Sequence, residues 1–258
     1  MHKKTYLAAL CVVLSAFSAG AQVTQADPVN DFRGRVSAGV DYKIAKGLHL
    51  SLDEEARFSA SSGGFSKLYS TLGLDYKFCK YAKADVSGTY ILNPSGANKA
   101  RVAVGLTGMY KVGQWSFSLK EQVRLTHRFG DMNEFQAPRN AVDLKSRVKV
   151  AYKCQTLPLK PYVLCEFKNC LNAVDYQSLG TSKSTAGTVE YTDAYLNRIR
   201  GGIGVEWRIS KKNTLDFYGL YDYVKDRDVD ASKAGKYKSV TIQPANYFTL
   251  GIAYKFSL

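Results

Sequence analysis

Residues 198–210 read RIRGGIGVEWRIS. Ile199, Ile203, Val205, Trp207 and Ile209 hold one parity of this segment, and Arg198, Arg200, Glu206 and Arg208 hold the other. A period of two places the two sets on opposite faces of one extended strand. Both faces are equally regular, so the strand must satisfy an apolar neighbour on one side and an ordered set of charges on the other. The pattern recurs over 32–44, 48–58, 68–78, 86–92, 102–112, 115–129, 142–152, 163–167, 195–209, 215–223 and 248–258, and no helical period competes with it. The composition agrees: 18 Tyr, 12 Phe and 21 Gly against 6 Pro suit many strands.

The connections alternate as strictly as the strands. Short ones fall at 45–47, 79–83, 113–114, 155–158 and 210–213, and long polar ones at 59–66, 93–99, 130–141, 171–193 and 227–244. Strands of about ten residues with short turns on one rim and longer loops on the other are the pattern of a membrane-spanning barrel. A soluble sandwich or lipocalin-like barrel shares the periodicity, because alternation does not say which face points inward. Three features favour the membrane. Arg and Lys recur on the polar face, Tyr42, Tyr76, Tyr110, Trp115, Tyr152 and Trp207 gather near strand ends, and the strands are about twice the usual soluble length. The expectation is therefore an all-β, transmembrane antiparallel up-and-down β-barrel of about twelve strands, ten being the other count. Its short turns would be periplasmic and its longer loops extracellular. An even, antiparallel barrel needs a further strand from Val23–Asn30. Glu121 sits on the apolar parity between Leu119 and Val123, which calls for a bulge or a protein contact.

MHKK precedes the apolar run YLAALCVVLSAFSAGA, which ends in Ala19-Gly20-Ala21. This is the layout of a secretory signal peptide over residues 1–21, with the barrel domain over 22–258. An exported barrel belongs in the outer membrane, among lipid and lipopolysaccharide. The segment ANYFTLGIAYKFSL (245–258) alternates to its end, so it reads as the closing strand. Tyr254, Phe256 and Leu258 then form the signal for the outer-membrane assembly machinery, although many such signals finish in Phe rather than Leu.

Further motifs stand in a fixed order: Arg57, LDYKF (74–78), SRVKVAY (146–152), PYVLCEFKN (161–169), RIRGGIGVEWRIS (198–210) and LDFYGLYDY (215–223). Their order and spacing over about residues 30–258 resemble the outer-membrane barrel family catalogued as domain of unknown function 2490. The resemblance implies an outer-membrane barrel and brings no agreed activity, ligand or catalytic residue.

Little in the chain points to catalysis. His127 lies on the apolar parity, but Thr126 and Arg128 flank it and no serine stands at close spacing, so an enzyme is not expected. Cys79, Cys154, Cys165 and Cys170 form no C-x-x-C pair and have no histidine nearby, which argues against a metal site; no cofactor is expected. Cys165 with Cys170, Cys154 with Cys165, or free thiols all remain open. GTSKSTAGT (180–188) lacks the strand-loop-helix setting of a phosphate-binding loop. The net charge of +14 comes with no nucleic-acid recognition motif. The strongest constellation is the charged face itself: Arg57, Arg124, Arg147, Glu166, Arg198, Arg200, Glu206 and Arg208. It reads either as a network of ion pairs filling a narrow barrel or as a constriction that favours anions, with Arg147 and Glu166 the expected pair. The functional expectation is a narrow pore for small, preferably anionic solutes. The alternative is a non-conducting structural or loop-display barrel, in either case a monomer.

Overall fold

The computed structural model describes residues 23–175, 189–235 and 237–258, and among these it contains twelve strands and no helix. The signal-peptide segment and the 180–188 loop lie outside the described residues. β1 is the short piece Val23–Gln25. β2 (Val29–Ala45), β3 (Leu48–Ser59), β4 (Gly64–Tyr76), β5 (Ala82–Leu92), β6 (Lys99–Val112) and β7 (Trp115–Arg128) form the first part of the wall. β8 (Asn140–Tyr152), β9 (Leu159–Ala173), β10 (Asp193–Arg208), β11 (Asn213–Ala231) and β12 (Tyr237–Ser257) complete it. Each strand from β2 onward pairs antiparallel with the next.

Closure differs from the expectation. β12 pairs with β2 in parallel, over thirteen residues from Ala245↔Val29 to Ser257↔Asp41. β1 lies on the same edge of β12, with Gln25 opposite Ile242. Four steps from Gln25 to Val29 face three from Ile242 to Ala245, so β1 and β2 are one stave interrupted at Ala26–Pro28. The twelfth strand is thus present but makes no stave of its own, and the wall has eleven. The reason is local: Pro28 carries no N–H for a ladder, and residues 23–30 show no alternation that would make a separate two-faced strand. With an odd count, the first and last staves must run the same way, here from the long-loop rim to the short-turn rim. Across this seam Arg33 stacks on the ring of Tyr247 at 3.2 Å, and Lys255 pairs with Asp41 at 2.9 Å.

The charged face points inward. Arg35, Gln122, Arg124, Asp143, Glu166, Arg200 and Asp222 are buried, while Val36, Leu52, Leu72, Val104, Leu119, Val148, Val163, Ile203 and Leu250 are exposed. This inverts a soluble barrel and answers what the alternation alone left open. Exposed Tyr42, Tyr76, Tyr110, Trp115, Trp207 and Tyr254 ring the short-turn end. Tyr152 packs on Trp115 there at 5.0 Å between ring centroids. Phe32, Phe58, Phe65, Tyr90, Phe129 and Phe248 ring the other end. Two aromatic girdles bounding an aliphatic belt match a surface built for hydrocarbon. Glu121 keeps its place on that surface without a bulge, because the register runs unbroken on both sides and the Ser146 hydroxyl donates to its carboxylate at 2.6 Å.

Inside, two tyrosines lie flat across glycines of the adjacent strands. A Cβ on Gly251 would come within 2.1 Å of the Tyr218 ring, and one on Gly204 within 2.5 Å of Tyr162. These glycines therefore leave the width that lets a large side chain fold into a narrow lumen. The stretch 227–244, expected as a loop, is instead the projecting end of the β11–β12 hairpin. Val229 and Val240 pair there and join Val174 in a small buried cluster covered by Phe135, Val189 and Tyr191. Those covering residues come from remote loops, which is why the local sequence reads as polar.

The parallel seam is testable in a background lacking Cys79, Cys154, Cys165 and Cys170. The pair Phe32→Cys with Phe248→Cys and the pair Val40→Cys with Phe256→Cys should each form a disulfide in the folded barrel, read as a gel shift reversed by reductant. An antiparallel seam could bring at most one of these pairs together, so failure of either overturns the register.

Candidate functional site

The lumen is organised around two carboxylates, Glu166 on β9 and Asp222 on β11, each 1% exposed. Arg147, Glu166, Arg200 and Asp222 are successive cross-strand neighbours on β8 to β11, all on the inward parity. Arg200 chelates Asp222 with Nε at 2.5 Å and NH2 at 2.8 Å, and reaches Glu166 at 3.5 Å. Arg198 donates to Glu166 at 2.6 Å, and Lys145 lies 3.2 Å from its other oxygen. A buried carboxylate surrounded by three cations is stable because each desolvated charge keeps a charged hydrogen-bond partner.

Arg124 pairs with Asp143 at 3.3 Å, and Lys168 reaches the other oxygen of Asp143 at the same distance. Arg57 donates to Glu55 at 2.5 Å and lies over the ring of Tyr69. Towards the short-turn rim, Lys149 and Lys160 hold Glu206 at 2.7 and 3.0 Å, and the Tyr162 hydroxyl donates to Asp216 at 2.9 Å. These ligations leave some donors over. The Nε atoms of Arg35, Arg124 and Arg198 are buried without a hydrogen-bond partner among the described residues.

The charge network expected from the sequence is therefore distributed differently. Arg57, Arg124, Glu166, Arg198, Arg200 and Glu206 all enter ion pairs. Arg147 stands directly across from Glu166, yet among the described residues no ion pair joins the two, and the carboxylate turns to Lys145, Arg198 and Arg200 instead. Register alone could not have shown this, because the long side chains lean diagonally to adjacent rows. Arg208 lies exposed at the end of β10, and its backbone N–H donates to Pro158. Lys145, Lys168 and Asp143 are the partners that the site reading passed over. All three sit on the inward parity, so the same alternation could have found them.

At mid-lumen these side chains enclose a cavity of about 460 Å³. Its walls carry Arg57, Arg101, Arg124, Lys145, Lys168, Arg198 and Arg200 against Asp53, Glu55 and Glu166, with hydroxyls from Ser37, Thr71, Ser87 and Thr89 on the opposite side. The arrangement can attract and hold anions. Nothing in it presents a nucleophile with a base. His127 bonds Asn140 at 2.8 Å on the outer face, with Ala100 across the other strand and the Phe129 ring 5.0 Å away. Neither neighbour supplies a hydroxyl. Among the described residues no group of His, Cys, Asp and Glu is placed to hold a metal. Cys79, Cys154, Cys165 and Cys170 are free thiols, and Cys165 faces outward opposite Val148 while Cys170 lies inward opposite Asp143.

Removing one member of the Glu166 cluster should be costly. Glu166→Ala leaves three buried cations without their shared anion and should lower stability by about 3–5 kcal/mol. Arg147→Ala should change it by less than about 1 kcal/mol. Urea midpoints of the detergent-folded protein, read by gel mobility without heating, separate the two; equal effects would overturn the assignment of partners.

Among solved structures the barrel is similar to the NanC porin, with TM-score 0.47 and 11% identity over 88% of this chain and 99% of that one. It is also similar to the outer-membrane protein OmpT of Vibrio cholerae, with TM-score 0.37 and 12% identity over 80% of this chain and 62% of that one. The translocator domain of the autotransporter NalP from Neisseria meningitidis gives TM-score 0.30 and 11% identity over 85% of this chain and 73% of that one. No curated protein matches the sequence. Residues 36–233 match the model of the family described as protein of unknown function (DUF2490), a span that takes in β3 to β11 whole and most of β2. The chain belongs to this family.

Proposed function

We propose that the chain is an outer-membrane barrel whose lumen is a narrow pore favouring small anionic solutes. The observation that carries this reading is the mid-lumen cavity of about 460 Å³, whose lining holds seven Arg and Lys side chains and three carboxylates. Fixed cations of this density raise the local concentration of anions and lower the barrier to their entry. The hydroxyls of the opposite wall offer hydrogen bonds that replace part of a solute's hydration. The aliphatic belt between two aromatic girdles supports residence in a bilayer, and the sequence over 1–21 supports export to the outer one.

On the same reading the belt contacts lipid and lipopolysaccharide, the barrel works as a monomer, and Tyr254, Phe256 and Leu258 address β12 to the assembly machinery. A second reading has its own support. The burial of Glu166 and Asp222 under ion pairs is also what a sealed, non-conducting barrel requires.

Planar-bilayer recording in a KCl gradient separates them. The pore reading expects a small conductance with a reversal potential on the chloride side, moved towards zero by Arg101→Ala with Arg57→Ala. A folded protein that passes no current, or one selective for potassium, overturns it in favour of the sealed barrel.

A further inference from the structure

The long-loop end of the lumen holds a second, smaller chamber of about 190 Å³, roofed by Gln136, Ala137 and Pro138 of the β7–β8 loop. Lys99 and Arg128 line it as direct cross-strand partners, with Arg101 one inward position deeper on β6. The charged groups that act on Lys99 are Arg128, Lys67, Arg101 and Lys168, all of them cations. The guanidinium of Arg101 is anchored through Nε, which donates to Thr126 Oγ1 at 3.0 Å, and no carboxylate pairs with Lys67, Lys99, Arg101 or Arg128 among the described residues.

The missing counter-ions are not hidden elsewhere in the chain. Residues 1–22, 176–188 and 236 contain neither Asp nor Glu, so every acidic side chain lies among the described residues. The two carboxylates of the chamber are already engaged on its other wall. Asp143 is shared by Arg124 and Lys168, and Asp226 accepts from Asn197 at 2.7 Å. A cluster of like charges inside a protein is unfavourable unless something neutralises it. Among the described residues no carboxylate forms an ion pair with any of these four cations.

We propose that this chamber is a binding site for a multivalent phosphate-type anion, a phosphomonoester or pyrophosphate group carried by a soluble molecule. One chloride would leave most of the charge uncompensated. A phosphate group brings about two negative charges and several acceptor oxygens, and the planar forks of Arg101 and Arg128 match pairs of those oxygens, with the ammonium of Lys99 adding point charge. The chamber faces the lumen and has room for one such group with a modest remainder, so a lipid-borne phosphate would have to leave its acyl chains outside the barrel. Arg101 and Lys168 also line the mid-lumen cavity, which makes the chamber its outer antechamber. The route of the ligand onward rests on the pore reading; the binding itself does not.

The test is titration calorimetry on the detergent-folded full chain with pyrophosphate, sulfate, chloride and, separately, lipopolysaccharide. Pyrophosphate should bind at one site per chain, sulfate more weakly, and chloride without saturable heat. Lys99→Gln with Arg128→Gln should weaken pyrophosphate by at least about tenfold with unchanged unheated gel mobility. If that double variant fails to fold, Lys99→Gln alone should still weaken binding measurably. Absence of pyrophosphate binding, indifference to these substitutions, or binding of lipopolysaccharide alone overturns the proposal. Bilayer recording keeps the two readings apart. Binding without current sinks the pore and leaves the site standing, whereas current that pyrophosphate neither joins nor blocks sinks the site and leaves the pore.

Discussion

Glu166 is the group on which this lumen turns. It is fully desolvated, its removal takes the nearest carboxylate from Lys145 and Arg198, and it ties β8, β9 and β10 together across their inner faces. Asp222 extends the same lattice to β11 through Arg200. The constraint behind this is the apolar exterior. Once hydrocarbon-like side chains occupy most outward positions, the inward positions cannot pack as an oily core without erasing the difference between the faces, and polar groups must fill the space. Each then needs a partner, because an unpaired buried charge costs far more than a paired one contributes. The interior is consequently a web of ion pairs in which single positions matter through their neighbours.

How much of this could be read from the sequence follows from what a period of two does and does not encode. It encodes faces, so the strands, their parity and the inward fate of the Arg residues were readable, as were the short and long connections. It does not encode where a long side chain leans. Arg147 and Glu166 are opposite in register, yet Glu166 is claimed by Arg200 from its own row and by Lys145 and Arg198 from the adjacent one, because Arg and Lys reach diagonally over several ångströms. Glu121 shows the converse. It looked like a break in register, but a single hydroxyl from Ser146 satisfies it where it stands. The stretch 227–244 was misread because its apolar residues are few and find their cover in Phe135 and Val174, far away in the chain.

The seam is the one part of the architecture that sequence counting handled by rule rather than by residue. An even count is a habit of bacterial barrels, while nothing in the hydrogen-bond ladder forbids an odd one. Here Pro28 and the featureless residues around it deny the chain a separate extra stave, and β2 meets β12 in parallel over a long, unbroken register. Parallel pairing is slightly weaker per residue than antiparallel. The stacking of Arg33 on Tyr247 and the Lys255–Asp41 pair fall at this join, as does the Leu258 amide donating to the Asp41 carbonyl. Side-chain contacts reinforce the ladder where its geometry is least favourable.

Charge is also unevenly spread along the lumen, and the unevenness has a direction. Near the short-turn rim each acid has a basic or phenolic partner: Asp41 with His49 and Lys255, Asp75 with Lys83, Asp85 with Lys120, Glu206 with Lys149 and Lys160, and Asp216 with Tyr162. At mid-lumen the cations outnumber the acids, and along β4 to β7 near the long-loop rim Lys67, Lys99, Arg101 and Arg128 stand with no carboxylate of their own. An anion entering from that rim would meet the strongest uncompensated field first and progressively neutralised walls afterwards. On the proposed pore reading such a gradient would capture at the mouth and release inward, because affinity would fall along the path as each cation becomes committed to a carboxylate of the protein. The pairing near the short-turn rim and the unpaired cations along β4 to β7 would then be two parts of one arrangement, with stability placed where the solute leaves and attraction where it arrives.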